Sequence, residues 1–372
     1  MRIVLAFDKF KGSATAQQLN DAARQALAGL EGLDVVCVPV ADGGDGTVAV
    51  LAASSEGQWV TISVPGPLMS MSPVDAGYYI DEDGTALIEV AAASGLALVP
   101  PELRDPFRLS TFGTGLMMRD AMERGCRQLV LGLGGSATCD AGMGIMCALG
   151  AEFVNAEGRM LFPCGATLSD ICSIESHGIP HEVLESRFTL LADVDNPLCG
   201  VRGTANVFAP QKGADPNQVS VLERGMCHVA AIVGDDIAHR EGCGAAGGVP
   251  ALMMHLLQCE LRPGAPYVLE RNGFVEALQS ADLVITGEGR LDRQTLMGKG
   301  PGRVIGMARE RGIPVAAVCG SIDDDLSPTG AGLLDAVAVS DGMTLDQAMD
   351  REGTLERVAA AVERLVSGFA VA

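Results

Sequence analysis

The chain opens Arg2-Ile3-Val4-Leu5-Ala6-Phe7 and turns at once into the loop Asp8-Lys9-Phe10-Lys11-Gly12-Ser13. Five consecutive apolar residues read as a short strand buried on both faces. Thr15 followed three residues later by Gln18 has the spacing of a capping box, and Leu19, Ala22, Ala23, Ala26, Leu27 and Leu30 recur at helical period. A second strand is expected over 35–40, ending in Ala41-Asp42-Gly43-Gly44-Asp45-Gly46-Thr47 ahead of another helix. Strand, helix, strand, loop, helix predicts an α/β fold with a parallel sheet, where ligands collect at the carboxyl ends of the strands.

Working outward, 58–89 reads as short strands broken by Pro65-Gly66-Pro67 and Asp81-Glu82-Asp83-Gly84, the texture of antiparallel hairpins at a boundary. The α/β alternation returns with a helix over 116–124, a strand over 128–133, a helix over 143–149 and a strand over 188–192. Near the end, the apolar runs 283–286, 315–319 and 336–339 repeat the pattern of the opening segment. The 372 residues amount to about 2.5 typical domains. The expected organisation is therefore two domains, one built from both chain ends (1–75 plus 275–372) around an inserted α/β domain (76–274) that carries a glycine-rich loop.

Hydrophobic residues make up 48% and charged ones 20%, which excludes a disordered chain. The net charge of −21 repels nucleic-acid phosphates and anionic lipid, and solubility is its plainer explanation. No apolar run reaches the roughly 18–20 residues of a membrane span. Asp8 and Lys9 cut short any signal-peptide core, so a cytoplasmic enzyme is expected, with a homodimer left open. The eleven cysteines contain no Cys-x-x-Cys pair, so reduced core filler is the expectation for most of them. Gly178 and Pro180 forbid a helical metal pair of His177 and His181.

Of 26 cationic residues only Lys9, Lys11, Lys212 and Lys299 are lysines, all in expected loops and three beside glycine. A compact ammonium on a flexible stem suits phosphate or carboxylate, although compositional drift leaves the same trace. Gly132-Leu133-Gly134-Gly135-Ser136-Ala137-Thr138 follows an expected strand and precedes a helix, where backbone N–H groups can face an anion. Gly132, Gly134 and Ala137 also match a dinucleotide fingerprint, with Glu152 and Glu157 near the distance of a ribose-binding acid; a tight turn without a ligand is the bland alternative. Acidic loops at strand ends, with Asp42 and Asp45, with Asp193 and Asp195, and with Glu288 and Asp292, suit Mg²⁺ or a general base as well as they suit solvated turns. Asp193 and Asp195 lie two apart, so an extended segment would point both carboxylates the same way. Arg293 stands where the first glycine of a P-loop ending at Gly298-Lys299 belongs, which excludes that motif.

Taken together, these loops resemble the bacterial glycerate kinase family, which phosphorylates D-glycerate with ATP. The resemblance is carried in order by Asp8-Lys9-Phe10-Lys11-Gly12-Ser13, Val40-Ala41-Asp42-Gly43-Gly44-Asp45-Gly46-Thr47, Thr111-Phe112-Gly113-Thr114-Gly115, residues 131–142, Asp193-Val194-Asp195-Asn196-Pro197-Leu198-Cys199-Gly200, Phe208-Ala209-Pro210-Gln211-Lys212-Gly213-Ala214, Gly244-Ala245-Ala246-Gly247-Gly248 and Ile285-Thr286-Gly287-Glu288-Gly289-Arg290 with Gly298-Lys299. The family pattern differs at Lys9 (Ser), Asp45 (Glu) and Cys139 (Asn), so Cys139 is given no role.

The resemblance implies a Rossmann-like domain and a second α/β domain with the active site in the cleft between them. Phosphoryl transfer needs positioning and charge neutralisation more than covalent help. On that ground Gly134, Gly135, Ser136, Thr138 and Lys299 are expected to hold nucleotide phosphates, Asp193 to act as base, Lys11 to meet the transferred group, Asp42 and Asp195 to hold Mg²⁺, and Ser13 and Arg290 to bind the glycerate carboxylate. The expected product is 2-phosphoglycerate. An NAD-dependent dehydrogenase of a small hydroxy acid rests on one fingerprint alone, and a non-catalytic metabolite-binding regulator would lack the base and metal carboxylates present here.

Overall fold

A computed structural model describes residues 1–296, 300–324 and 326–371. The chain forms two compact units, one of Met1–Asp42, Ala49–Ser54 and Ala265–Ala372, the other of Gly43–Val48 and Ser55–Gly264.

The first unit is built on a five-stranded parallel sheet in the order Asp335–Ala338, Val315–Cys319, Leu283–Gly287, Arg2–Phe7, Asp34–Cys37. The opening apolar run is an interior strand, buried from Ile3 to Phe7 because both faces are covered. Its side chains alternate between two layers. Ile3, Leu5 and Phe7 pack with Leu19 and Ala23 of the helix Ala16–Leu27 and with Val358 and Val362 of the helix Arg351–Val371. Val4 and Ala6 join Val304, Ile305 and Ala308 of the helix Gly300–Arg309. Fully burying each Ile, Leu, Val or Phe among these side chains is worth roughly 1.5–3 kcal/mol. The capping box forms as its spacing predicts, with Thr15 Oγ1 accepting from the Gln18 amide and Gln18 Oε1 accepting from the Thr15 amide. The strand expected over 35–40 is Asp34–Cys37. Beyond it, the amides of Val38 and Val40 still donate to Leu5 and Phe7 carbonyls, while Pro39 between them has no N–H to continue the ladder.

The second unit holds a six-stranded sheet in the order Cys259–Pro263, Arg187–Ala192, Gln128–Gly132, Thr85–Glu89, Val74–Asp81, Gly57–Val64. The first four strands run parallel; the last two are an antiparallel extension. Ile88, Leu131 and Leu190 stand opposite one another across three parallel strands and are fully buried. The helix expected over 116–124 is Phe112–Glu123. Its early glycines are packing positions, since a Cβ on Gly113 would lie 2.0 Å from the Pro65 carbonyl oxygen and one on Gly115 2.6 Å from Ala148 Cβ.

Both expected boundaries move. Gly57–Val64 pairs with Val74–Asp81 along its whole length, so the hairpin belongs with the inserted sheet and the crossing falls before residue 75. At the other end Leu269 and Phe274 share a core cluster with Val4 and Val284, so the return begins at Ala265 and not near 275.

Candidate active site

In the second unit the glycine-rich loop leaves the carboxyl end of Gln128–Gly132, as the sequence predicts. Backbone packs on backbone here: a Cβ on Gly134 would lie 2.3 Å from Gly44 Cα, and one on Gly132 3.1 Å from the Gly43 carbonyl oxygen. Gly43 (φ 93°) in turn sits against Leu191 and Gly264. Thr47 Oγ1 accepts from the Gly43 amide at 3.1 Å, and Glu89 Oε1 accepts from the Val48 amide at 2.9 Å, a carboxylate at the start of the helix Thr47–Ala52. The far side of the loop is stitched to 94–96, with the Ala137 amide donating to the Ser94 carbonyl and the Leu96 amide to the Gly135 carbonyl.

Beneath this loop lies Lys212. Its side chain is buried, and its Nζ donates to Ser136 Oγ and to the Thr138 carbonyl, both at 2.8 Å. Burial lowers its pKa, against the opposing field of Cys139 and Asp140. Ser136 and Thr138 are buried with it, and Thr138 Oγ1 has no hydrogen-bond partner among the described residues. The exposed crest is Gly135, with Gly134 half-buried. Next along the chain, the fully buried Asp140 accepts from the Thr111 amide and hydroxyl, each at 2.8 Å, and from the amides of Gly142 and Gly144 at 3.2 Å. Burial raises its pKa while these donors pull it down. The segment below rests on a left-handed turn of Ala246, Gly247 and Gly248, where a Cβ on Gly247 would stand 1.9 Å from the Thr138 carbonyl oxygen.

Asp193 and Asp195 leave the tip of Arg187–Ala192, both exposed. The stretch is not assigned to a strand, and Asp195 Oδ2 accepts from Arg202 Nη2 at 2.6 Å.

In the first unit the loop after Arg2–Phe7 brings Lys9 Nζ to 4.0 Å from Asp42 Oδ1, both side chains half-buried. The Lys9 amide donates to Asp8 Oδ1, and Asp8 Oδ2 lies 3.2 Å from the position of a Cβ on Gly300, the first residue of the helix Gly300–Arg309. Lys11 is exposed. Ser13 Oγ donates to Thr354 Oγ1 at 2.8 Å, tying its hydroxyl to the helix Arg351–Val371. Arg290 Nε donates to Asp323 Oδ1 at 2.7 Å, which raises the Arg290 pKa. Gly289 lies against the backbone of Phe10 and Lys11, so the loops bearing Lys11 and Arg290 are neighbours. Lys299 lies outside the described residues.

The loops bearing Lys9 and Lys11, Asp42, the glycine run, and Asp193 with Asp195 each follow a parallel strand, the end at which α/β folds collect ligands. The sequence profile of the glycerate kinase family matches residues 3–367. The chain belongs to that family. A glycerate kinase of Bacillus subtilis (strain 168) is 37% identical across the whole of both chains, and one of Bacillus cereus is 38% identical over 91% of this chain and 90% of its own. The glycerate 2-kinase of Escherichia coli (strain K12) is 36% identical over 100% of this chain and 98% of its own. A crystal structure assigned as glycerate kinase 2 from Salmonella typhimurium LT2 superposes with a TM-score of 0.86 at 34% identity, covering 100% of this chain and 98% of that one. This member of the glycerate kinase family is thus an enzyme, and a kinase. Among its described residues no helix is long and apolar enough to cross a membrane.

Residue by residue, the kinase keeps the predicted glycine loop together, sets Asp193 and Asp195 on one loop, and sets Lys11 and Arg290 on adjoining loops. Sequence reasoning named Lys212 as one of four candidate lysines but gave it no role and no place beside Ser136 and Thr138. Glu89 and Asp140 went unnoticed, because a lone acid at a strand end or after a glycine run has no spacing signature.

Proposed function

We propose that this kinase transfers the γ-phosphoryl group of ATP to the 2-hydroxyl of D-glycerate, giving 2-phosphoglycerate and ADP. The observation that carries the reading is the glycine loop at the tip of Gln128–Gly132, with Gly135 exposed at its crest and the Lys212 amine fixed beneath. Full-length likeness to a relative named glycerate 2-kinase supports the choice of hydroxyl.

In this reading Asp193 takes the hydroxyl proton as the glycerate oxygen attacks phosphorus; the bond to the β–γ bridging oxygen breaks, and ADP leaves with that electron pair. Lys11 neutralises charge on the group in transfer, and Gly134 and Gly135 offer backbone amides to the nucleotide phosphates. Ser136 and Thr138 act from below by holding Lys212. Arg290 and Ser13 orient the substrate carboxylate, and Lys299 completes the phosphate contacts. Mg²⁺, when bound, would neutralise phosphate charge. The half-buried carboxylate of Asp42 suits it, whereas Asp195 already shares one carboxylate oxygen with Arg202.

A coupled ADP-release assay with D-glycerate, ATP and Mg²⁺, run beside an NAD⁺-reduction assay, tests this. ADP is expected, and phosphorus NMR of the product is expected to show a 2-phosphate. NADH formation, or no turnover, overturns the reading. Asp193→Asn removes the base while keeping the shape, and kcat is expected to fall about 100-fold or more. A rate within a few-fold of the parent removes Asp193 from that role.

A further inference from the structure

Away from the glycine loop, three ligand-bearing side chains of the second unit converge. Cys199 stands on the loop after Arg187–Ala192, while Glu223 and Cys227 are one turn apart on the helix Pro216–Val233. Their two sulfurs and one carboxylate oxygen all lie within 4.8 Å of one another. Glu223 Oε1 accepts from the Gly200 amide at 2.5 Å and from Cys227 Sγ at 3.6 Å. Its Oε2 is buried and has no hydrogen-bond partner among the described residues.

We propose that Cys199, Glu223 and Cys227 form a binding site for a thiophilic divalent cation, with Zn²⁺ as the natural occupant. A tetrahedral Zn²⁺ bonds sulfur at about 2.3 Å and carboxylate oxygen at about 2.0–2.2 Å, so its ligand atoms stand roughly 3.5–3.8 Å apart. The observed cluster is within a small inward movement of that arrangement. Two thiolates and one carboxylate select a soft or borderline cation over Mg²⁺. The buried Oε2, costly to leave unpaired, gains a partner when the cation binds. Cys227 is exposed, which gives the cation an entry path and leaves a fourth position to water. In the free protein both sulfurs are thiols, Cys227 pushed up to about 12 by burial and by the Cys199 and Glu223 groups beside it. Binding therefore releases two protons to solvent as two metal–sulfur bonds form. No electron is transferred. Cys199 belongs to the loop that bears Asp193 and Asp195, so the cation would stiffen that loop at its far end.

The test uses the reduced, chelator-stripped full chain titrated with Cd²⁺, read by the ultraviolet thiolate-to-metal charge-transfer band, and with Zn²⁺ in competition with a chromophoric chelator. One cation per chain with a two-thiolate band is expected, together with a melting temperature that rises with Zn²⁺. Cys199→Ser/Cys227→Ser is expected to abolish both. Cys172→Ser, at the other exposed cysteine, is expected to leave them unchanged. Glu223→Gln is expected to weaken binding at least about ten-fold. Should the double variant fold poorly, cadmium NMR of the parent chain replaces it, with a shift for two-sulfur ligation expected. No charge-transfer band at stoichiometric Cd²⁺, an equal band in a folded double variant, or a shift without two sulfurs overturns the site.

Discussion

Two loops, each following an interior parallel strand, one carrying a lysine beside glycine and the other resting on such a lysine from a distant part of the chain, reach opposite outcomes. After Gln128–Gly132 the chain folds its polar groups inward: Ser136 and Thr138 face the buried Lys212, and Gly134–Gly135 is what meets solvent. After Arg2–Phe7 the chain leaves Lys11 exposed and spends its ordering bonds on Ser13 and the Lys9 amide. A buried amine holds a shape; an exposed one is free to follow a moving charge. In the proposed reading the difference separates architecture from chemistry in residues that look alike in the sequence.

The comparison is most exposed at Lys11. Lys11→Ala is expected to lower kcat/KM by roughly 10- to 100-fold, the worth of a hydrogen bond to a charged group, with no change in melting temperature. An unchanged kcat/KM would reduce Lys11 to a solvated surface charge.

Lys212→Met keeps the stem and removes the amine. Ser136 Oγ and the Thr138 carbonyl then lose a buried partner, and a stability loss of about 1–3 kcal/mol is expected in denaturant melts. pH sharpens this. Burial holds the folded-state pKa of Lys212 below its ordinary 10.5, so the unfolded chain binds that proton more tightly. The group's stability contribution is complete above pH 10.5 and falls as pH drops below it. The stability difference between parent and Lys212→Met is therefore expected to widen as pH is raised toward that value. A difference independent of pH would mean the amine keeps its proton in the fold.

The smallest effect is expected from Ser13→Ala, which deletes one half-buried hydroxyl bond to Thr354 and costs about 1 kcal/mol in the same melts. A loss of turnover larger than that stability change would show a second task for the hydroxyl at the substrate.

What the sequence disclosed follows the same division. Continuous apolar runs such as Ile3 to Phe7 reveal parallel strands, and their recurrence at both chain ends reveals that the ends share one sheet. The glycine loop was legible because backbone conformation needs glycine locally. The first boundary was not, because the strand Gly57–Val64 alternates buried and exposed residues and looks the same at the edge of either sheet. Nor was the burial of Lys212, which depends on contacts 74 and 76 residues away in the chain. The contact of Asp195 with Arg202 was not legible either, since nothing in the spacing of Asp193 and Asp195 points to an arginine seven residues on. The Cys199–Glu223–Cys227 cluster was equally invisible, its first sulfur coming from a different element than its other two ligands.

The pairing of Ile3 with Leu283 has a consequence for the birth of the molecule. On the ribosome, at about 5–20 residues per second, the first strand waits roughly 15–60 s for that neighbour to emerge. The sheet running from Gly57 to Pro263 is complete by then, since all its strands are already made. The enclosed unit is thus positioned to mature first, and the unit holding Arg2–Phe7 closes last, with that oily strand the part most in need of chaperone cover.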